Sequence, residues 1–580
     1  MLKKSWIQSP SPPIGFAEYV GLSPFKAHLL YNRGIRRKQE IDSFLTADHS
    51  LANDPALIPD MDKAIERLKT AISTGETVGV FGDFDTDGIT GTSIIVKALS
   101  ELGIKTVPYL PNRMSEGHGL NMEAVRFLHA HGVTLLITVD CGVSSSAEIE
   151  FASSMGIDTI ITDHHSLPTN YPQARAILNP SREDSKYPYD GLTGVGIAFK
   201  LIEGLWATLN RSWPDHFLEL VALGTVADVG PLTGENRHLV KQGIKNLNTT
   251  QNPGLKALIA RAGLKRGNLD TESLSFQLIP RLNSAGRMSD PSVSLDLLTT
   301  ASDAVAENIA ERLELHNTER RRVTQESLKQ AYHQAQERYD QTSPIIIVEH
   351  PDWLPGILGL IAANLCDRFY RPAVAIAVEG EMSRGSARSI PEFNVIQILK
   401  DNHTLFERYG GHARAAGFTI PTDKLPLLKH QLQAASVKQL DGTNLNPSIQ
   451  IDFEIEPSLL KETGNMEFIQ SLSPHGEGNP APIFLTRKAR IVTSRQVGRN
   501  KNHLKMEISH GGNCWDAIAF WQGDTPASSG NKIDMVYTPG IKEWGGRRTL
   551  QLNILDFETE HRISQPTILN AGASQHGSPY

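Results

Sequence analysis

The chain has 580 residues, roughly four times the ~150 residues of a typical domain, which argues against a single compact fold and predicts three to five domains. With 39% hydrophobic and 21% charged residues, its composition is that of a globular protein and excludes disordered and fibrous classes. The formal net charge of -7 gives no general attraction for nucleic acid, so any site for a polyanion has to be local. Three cysteines without C-x-x-C spacing argue against a disulfide scaffold, a zinc ribbon or an iron–sulfur centre.

The first 70 residues are polar with weak helical periodicity, and we expect an N-terminal extension that packs onto the first domain. No apolar segment of the signal-peptide type follows the N-terminal lysines, and no window approaches 18 consecutive apolar residues. We therefore expect a soluble protein that is not exported and acts in the cytoplasm.

Residues 71–230 alternate short apolar runs with segments of helical length. The apolar runs are Val78–Phe81, Thr134–Val139 and Thr159–Thr162, and Ile89–Leu102 is predicted to be the helix after the first run. This alternation is typical of a doubly wound parallel sheet, so it predicts a Rossmann-like α/β domain.

The rest of the chain is predicted to form three further regions. Residues 231–343 are expected to be helical, and 301–340 contain neither Gly nor Pro, which predicts one long helix that connects two lobes. A second α/β domain is predicted for 344–440. Short alternating runs over 445–560 predict a small β-barrel, and the turn-rich residues 565–580 are expected to be disordered.

Acidic residues and histidines follow three of the predicted strands, always at the same end. These residues are Asp83, Asp85 and Asp87 after the first strand, Asp140 after the second, and Asp163, His164 and His165 after the third. Because the carboxyl ends of parallel strands lie at one edge of a sheet, these side chains are expected to converge. Asp228, at the end of an apolar helix, is a fourth source of a donor.

Carboxylates and imidazoles without a thiolate suit Mn²⁺ or Mg²⁺ better than structural Zn²⁺, and so many anionic donors predict two ions. Two ions about 3.5–4 Å apart activate a water and stabilise the leaving oxygen in attack at phosphorus. A turn capped by an aspartate would explain the first motif alone, but the agreement of three strand ends favours metal binding. The residues therefore indicate metal-assisted hydrolysis of a phosphoester or phosphoanhydride.

Four segments, GDFDTDG, VDCG, DHH and VADV, resemble in order and spacing the metal motifs of the DHH phosphoesterase superfamily. Together with PRLNSAGRM, SRGSARSI, GGHARAAGF and the predicted barrel, they make the chain similar to the RecJ family, the bacterial single-stranded-DNA-specific exonucleases. The resemblance covers about residues 50–560. It implies a DHH domain, a DHH-associated domain after the long helix, and a terminal barrel of the OB type.

The resemblance also implies which residues bind two Mn²⁺ or Mg²⁺ ions. The implied ligands are Asp83, Asp85, Asp140, His164 and Asp228. Asp140 is the implied bridge between the ions, Asp87 is implied to orient its loop, and Asp163 and His165 are implied to support the ligands or face the phosphate. Phe81 stands where some relatives carry a metal-binding histidine, so one ion is expected to have fewer protein ligands.

Three of the segments are implied to contact DNA phosphates. The residues are Arg281, Asn283 and Arg287 in PRLNSAGRM, Arg384, Ser386 and Arg388 in SRGSARSI, and Gly411 and His412 in GGHARAAGF. By their chemistry alone, guanidinium groups beside small residues are generic anion sites.

Residues 486–506 contain seven Lys or Arg and no acidic residue. A solvated strand face is the ordinary interpretation of such a run, but in an OB-type barrel it predicts a groove for a single strand. The candidate contacts are Arg487, Arg495, Arg499 and Lys501. Trp515, Phe520 and Trp544 are candidates for stacking on bases, although core packing is the commoner role of such residues.

The resemblance implies a metal-dependent exonuclease that hydrolyses single-stranded DNA from 5′ to 3′ into mononucleotides, in DNA repair and recombination. Two alternatives stay open, a small-nucleotide phosphodiesterase or oligoribonuclease with the same metal chemistry, and a non-catalytic scaffold that binds single-stranded DNA. By resemblance we also expect a monomer associated with the nucleoid, with a single-stranded-DNA-binding protein and a helicase as partners.

Overall fold

The computed structural model describes residues 3–339, 343–544 and 547–559, so the predicted disorder of residues 565–580 lies outside the described part. The chain forms two compact units. One contains residues 47–445 with 476–478, and the other contains the two ends of the chain, up to residue 46 and from 446 onward. No helix in the described ranges is both long and apolar enough to cross a membrane.

The N-terminal segment is a short strand followed by three helices. They are β1 (Ser5–Gln8), α1 (Phe16–Val20), α2 (Pro24–Asn32) and α3 (Lys38–Thr46).

A five-stranded parallel sheet forms the first part of the larger unit. Its strands are β2 (Thr77–Gly82), β3 (Thr106–Tyr109), β4 (Val133–Val139), β5 (Asp158–Thr162) and β6 (Ala176–Leu178), in the spatial order β3-β2-β4-β5-β6. The surrounding helices are α4 (Met61–Thr74), α5 (Thr86–Glu101), α6 (Met122–Ala130), α7 (Ser146–Ser154), α8 (Gly194–Thr208) and α9 (Leu218–Ala227). The predicted Rossmann-like fold is confirmed, and its topological switch lies between β2 and β4, where such sheets bind ligands.

Helices continue from the sheet to a second domain. They are α10 (Gly234–Asn248), α11 (Pro253–Arg261), α12 (Thr271–Ser273), a π-helical turn (Leu274–Leu278), α13 (Ile279–Met288), α14 (Ser292–Thr299) and α15 (Asp303–Arg338). The 36-residue α15 is the predicted connector. Ile309 and Leu313 near its start belong to the core of the first domain, whereas Ala331 and Ala335 near its end belong to that of the second.

The second domain has a mixed five-stranded sheet in the order β10-β11-β9-β8-β7. Its elements are β7 (Ile346–His350), α16 (Leu358–Phe369), β8 (Ala373–Glu379), β9 (Met382–Arg388), α17 (Val395–Asp401), β10 (Arg408–His412), β11 (Ala415–Pro421) and α18 (Leu425–Leu440). Strand β11 lies between β9 and β10 and pairs with both, so the motifs SRGSARSI and GGHARAAGF lie side by side.

The C-terminal part of the smaller unit is a closed barrel. Its elements are β12 (Ser448–Ile451), β13 (Phe453–Glu454), α19 (Asn465–Ser471), β14 (Phe484–Val497), β15 (His503–His510), β16 (Asn513–Ala519), β17 (Lys532–Trp544) and β18 (Arg547–Thr559). The order β14-β15-β16-β18-β17 closes through a pairing of β17 with β14, which gives the five strands of the predicted OB type.

The N-terminal segment packs with this barrel. Strand β1 pairs in parallel with β12, and Phe25 stacks on Phe484 in the barrel core at 5.8 Å between ring centroids. The expectation that residues 1–70 pack onto the first domain is therefore wrong up to residue 46, whereas Met61 and Leu68 of α4 do join that domain's core. An apolar pattern shows that a segment buries one face, but it does not show which core receives that face.

Candidate metal centre

The carboxyl ends of β2, β4 and β5 bring the predicted acidic residues and histidines together. Ligand atoms of Asp83, Asp85 and Asp140 lie within 4.8 Å of one another. Asp140, His164 and His165 form a second such group, and Asp87, His164 and Asp228 form a third. Asp140 and His164 each belong to two groups, so the three groups of donors overlap.

Asp140 lies at the centre of this arrangement in an unusual backbone conformation. Its φ of 60° is left-handed, a region that a residue other than glycine enters only at a cost. Gly194, the first residue of α8, lies directly behind it. A Cβ on Gly194 would come within 2.4 Å of the Asp140 Cβ, so only glycine fits at position 194 with the present positions of Asp140 and α8.

Two acidic residues of the first motif, Asp85 and Asp87, each accept hydrogen bonds from the N-terminus of a helix. Asp85 caps α5 by accepting hydrogen bonds from the backbone N–H groups of Asp87 (3.0 Å) and Gly88 (3.3 Å). Asp87 accepts from the N–H groups of Gly194 (2.7 Å) and Val195 (2.9 Å) and from the Thr193 hydroxyl. The Asp87 carboxylate therefore positions the start of α8 behind Asp140, although it also lies in the group with Asp228.

The two histidines of the DHH motif have different surroundings. Burial lowers the pKa of His164, which favours the neutral imidazole that binds metals. His165 donates from Nδ1 to Asp163 Oδ1 at 2.7 Å; burial alone would lower its pKa, but this bond raises it to about 9. Asp163 also accepts from the Val143 N–H, so both of its oxygens are engaged and it orients His165. The His165 ring stacks on His412 of β10 at 5.8 Å.

The carboxylates repel one another inside a buried site. Burial, followed by repulsion from Asp87 and its neighbours, raises the pKa of Asp140 well above its ordinary range and that of Asp228 to about 7. The buried atoms Asp83 Oδ1, Asp140 Oδ1 and His164 Nε2 form no hydrogen bond in the described structure. Unpaired oxygen and nitrogen donors around repelling carboxylates fit divalent cations such as Mn²⁺ or Mg²⁺, which would compensate both.

Two residues of the centre were missed by the sequence analysis because they follow β3, a strand that it did not predict. His118 Nδ1 lies 3.4 Å from Asp83 Oδ2, and although burial raises the pKa of Asp83, this contact lowers it overall. Arg113 lies over the Phe84 ring at 4.7 Å, and its charge also lowers the pKa of Asp83. A basic residue in an unassigned loop gives no sequence signal that distinguishes it from a solvated one.

Arginines gather beside the donors. Arg287 is buried, and burial, followed by the charges of Arg113, Arg320 and Arg388, lowers its pKa to about 9. Arg287 donates to the Gly356 carbonyl of the second domain at 3.1 Å. Arg320, on α15, was also missed, and its buried Nε has no hydrogen-bond partner in the described structure. Such a concentration of guanidinium groups predicts an anionic ligand at this site.

Other predicted phosphate contacts are already engaged. Arg281 pairs with Glu314 at 2.5 Å, and Arg384 donates to the Met114 carbonyl. The Asn283 side-chain oxygen accepts from the Thr86 backbone and hydroxyl, which ties α13 to the start of α5. Among the remaining residues, Ser386 lies on β9, and Gly411 and His412 lie on β10, on the other side of β11. These contacts do not test the binding of the residues to DNA.

Three family models match the chain in the order of its domains. The model described as "DHH family, N-terminal domain" matches residues 77–225, that of the "DHHA1 domain" matches 342–438, and that of the "RecJ OB domain" matches 451–556. The single-stranded-DNA-specific exonuclease RecJ of Escherichia coli is 35% identical over 560 residues, covering 92% of this chain and 95% of that protein. The chain belongs to the RecJ family.

Other members of the RecJ family agree with this assignment. RecJ of Bacillus subtilis is 35% identical over 546 residues, 93% of this chain and 68% of that protein. The crystal structure of RecJ from Thermus thermophilus in complex with Mn²⁺ has a TM-score of 0.82 at 27% identity, covering 96% of this chain and 79% of that one. The structure of the same RecJ with Mg²⁺ has a TM-score of 0.76. The expected family and fold class are confirmed.

Phe81, where some RecJ relatives were expected to have a histidine, belongs to the core. Its side chain is fully buried and stacks on Tyr109 at 5.7 Å. Phe81 therefore contributes packing beneath the centre and no donor to it.

The basic run of the RecJ OB domain divides into two sets. Arg487 pairs with Glu454 and Asp534 at 3.0 Å each, so its charge is neutralised. Arg495, Arg499 and Lys501 are exposed and form no ion pair with any described residue. Trp515 is buried, as in a core role, and the side chain of Trp544 lies outside the described residues.

Proposed function

We propose that the protein is a metal-dependent exonuclease that hydrolyses single-stranded DNA from 5′ to 3′ into mononucleotides, in DNA repair and recombination. The observation that carries this proposal is the overlap of donor groups at Asp140, beside a cluster of arginines. The substrate follows from membership of a family whose members are named as single-stranded-DNA-specific exonucleases.

The proposed ligands are Asp83, Asp85, Asp140, His164 and Asp228, with Asp140 shared between two Mn²⁺ or Mg²⁺ ions. When bound, such ions lower the pKa of an attacking water and stabilise the leaving oxygen. The chain's own contribution is to hold the donors in place: Asp87 fixes the start of α8 behind Asp140.

The charged groups around the donors would position the scissile phosphate. Arg113, Arg287 and Arg388 would supply positive charge there, and the first and last of them lie close enough to lower the pKa of Arg287. His165, held by Asp163 and carrying a proton near neutral pH, faces His412 of the second domain. A DNA strand bound between these groups would contact positively charged side chains from both domains.

The test is digestion of single strands labelled at the 5′ or 3′ end, and of the matched duplex, with Mn²⁺, Mg²⁺ or EDTA. We expect labelled mononucleotide first from the 5′ end of the single strand, none in EDTA and little from the duplex. A labelled dinucleotide tests the alternative small-nucleotide activity. Early release of the 3′ label would contradict the polarity.

The matched variants are Asp140→Ala and Asp184→Ala. Asp140→Ala should abolish hydrolysis and leave single-strand binding within a few-fold, because it removes shared metal donors and no distant DNA contact. Asp184 lies on the surface of the same unit and pairs with Arg182, so its loss should leave turnover unchanged. Tight strand binding by the wild-type protein without hydrolysis in either metal would favour the scaffold alternative.

The resemblance supports further proposals about the cellular setting. These are a monomer that acts in the cytoplasm at the nucleoid, together with a single-stranded-DNA-binding protein and a helicase. Co-sedimentation of the purified chain with each partner, with and without single-stranded DNA, would test them.

A further inference from the structure

Helix α9 ends beside the metal centre in a turn that usually contains glycine. The Gly230 N–H donates to the Thr225 carbonyl at 2.9 Å, and the Val229 N–H donates to the Val226 carbonyl at 3.3 Å. These two bonds define the Schellman motif, in which the first residue beyond the helix cap is left-handed and is usually glycine. Here that residue is Val229, with a φ of 57°. A β-branched residue adopts this conformation only at a cost.

Other helices of the same unit end in this motif with residues that tolerate it. The left-handed position is glycine at the ends of α5, α7 and α11 and asparagine at the end of α8, namely Gly103, Gly156, Gly263 and Asn210. Glycine and asparagine adopt a left-handed φ more readily than other residues. The turn at the end of α9 therefore does not itself require a valine.

Burial does not compensate Val229 for its conformation. The side chain is 64% exposed, so most of its apolar surface gains nothing from packing. The backbone that follows it is nevertheless fixed. A Cβ on Gly230 would come within 2.6 Å of Thr193 Cγ2, and the Leu232 N–H donates to the Glu477 carbonyl at 2.7 Å. Strained residues that their surroundings hold in place are concentrated at sites that bind a ligand.

Val229 directly follows Asp228, one of the proposed metal ligands. Asp228 Oδ2 lies 3.6 Å from His164 Nε2, and consecutive Cα atoms are about 3.8 Å apart, so Val229 lies at the edge of the centre. In the proposed function a phosphodiester occupies this centre, and the group on either side of its phosphate is a sugar. An isopropyl group offers no hydrogen bond to phosphate oxygens, whereas it can pack against the C–H groups of a sugar.

We propose that Val229 packs against the C2′ edge of a sugar next to the scissile phosphate and so selects deoxyribose over ribose. In DNA, C2′ carries only hydrogen atoms, so the contact is apolar on both sides. In RNA, C2′ carries a hydroxyl, which would be buried against valine without a hydrogen-bond partner. The inference rests on the proposed function for the position of the phosphate, and it assigns a preference for DNA to one side chain.

The test compares DNA and RNA single strands of one sequence, both as substrates and as ligands. Initial rates with Mn²⁺ give kcat/KM for each strand, and fluorescence anisotropy in EDTA gives each Kd without hydrolysis. Wild type should prefer DNA roughly 5- to 100-fold in kcat/KM, since a hydroxyl buried without a partner costs that much. In DNA strands with a single ribonucleotide on one side of the first scissile phosphate, one of the two positions should account for this preference.

Three variants separate the sugar contact from the turn. Val229→Thr keeps the shape and the branching of the side chain, and its hydroxyl gives the 2′-hydroxyl a partner. It should lower the DNA/RNA ratio of kcat/KM roughly 5- to 100-fold. Val229→Gly relieves the left-handed conformation, so its melting temperature should not fall, but it should lower the same ratio. Asn210→Gly makes the corresponding change at the end of α8 and should leave the ratio as in wild type.

Two results would overturn the inference. One is a wild type that treats DNA and RNA alike, and the other is a DNA preference that stays unchanged, in both kcat/KM and Kd, in folded Val229→Thr and Val229→Gly. The proposed function fails separately. A chain that binds DNA more tightly than RNA, hydrolyses neither strand and loses this preference in Val229→Thr would refute the nuclease and retain the role of Val229. A nuclease whose preference for DNA ignores Val229 would refute that role alone.

Discussion

The close approach of α8 to Asp140 predicts the effect of one added methyl group. In Gly194→Ala the new Cβ would lie 2.4 Å from Asp140 Cβ and 2.6 Å from its Oδ1. Carbon atoms in contact prefer a separation of about 3.5–4 Å, so the aspartate or the helix has to move by about 1 Å. A misplacement of about 1 Å in a catalytic centre lowers the rate by about 100-fold, equivalent to about 2.7 kcal/mol of transition-state stabilisation.

The expected result is a fall in kcat of about 100-fold with little change in KM for single strands, because the strand contacts lie elsewhere. Mn²⁺ affinity, measured by calorimetry, should fall as well. The loss in the free energy of unfolding should be smaller. Overpacking costs about 1–3 kcal/mol, and the higher helix propensity of alanine offsets about 1 kcal/mol of that cost.

Gly196→Ala is the matched control, since it adds the same methyl group to the same helix. The atoms nearest to its Cβ would all belong to the Leu192 side chain, the closest at 3.3 Å. Turnover within a few-fold of wild type in Gly194→Ala, with the protein folded, would refute the role of this contact in positioning Asp140.

Three further predictions concern charge. Because the pKa of Asp228 is raised to about 7 from an ordinary 3.8, the metal-free fold binds a proton that the unfolded chain has released, so its stability should fall as pH rises from about 4 to 7. Melting curves in EDTA should show this slope in the wild type and a shallower one in Asp228→Asn. Glu235→Gln removes one of two carboxylate partners of the fully buried Lys200, which keeps Glu203 at 2.6 Å, and should lower the free energy of unfolding in urea by about 1–3 kcal/mol. Arg499→Glu should weaken single-strand binding and flatten its salt dependence by roughly 0.7 per lost contact, whereas the neutralised Arg487 should show little effect on mutation.

The centre could largely be predicted because each buried strand ends in a polar residue whose position is determined by the sheet. Asp83, Asp140 and the Asp163–His164 pair follow short, largely apolar runs, and parallel strands present such ends at one edge. The short strand β3 carries Pro108 and gives no such run. Because β3 was not recognised, neither Arg113 nor His118 in the following loop could be placed.

Pairing between distant residues could not be predicted. Arg487 resembles the other cations of its run in sequence, yet Glu454 and Asp534 neutralise it from other strands. The packing of the N-terminal segment on the barrel has the same origin, since the partner strand β12 lies more than 400 residues away. A local sequence pattern indicates the periodicity of its own segment. Contacts between distant segments depend on the assembled fold and cannot be predicted from such a pattern.

The left-handed backbone of Asp140 has a consequence for anyone who improves this protein by selection. The conformation costs about 1–3 kcal/mol at a residue other than glycine, and its buried carboxylate faces several others of like charge. Asp140→Gly would relieve both penalties and remove the shared donor. A screen for thermal resistance would therefore enrich inactive proteins at this position, and melting temperature and turnover have to be ranked separately.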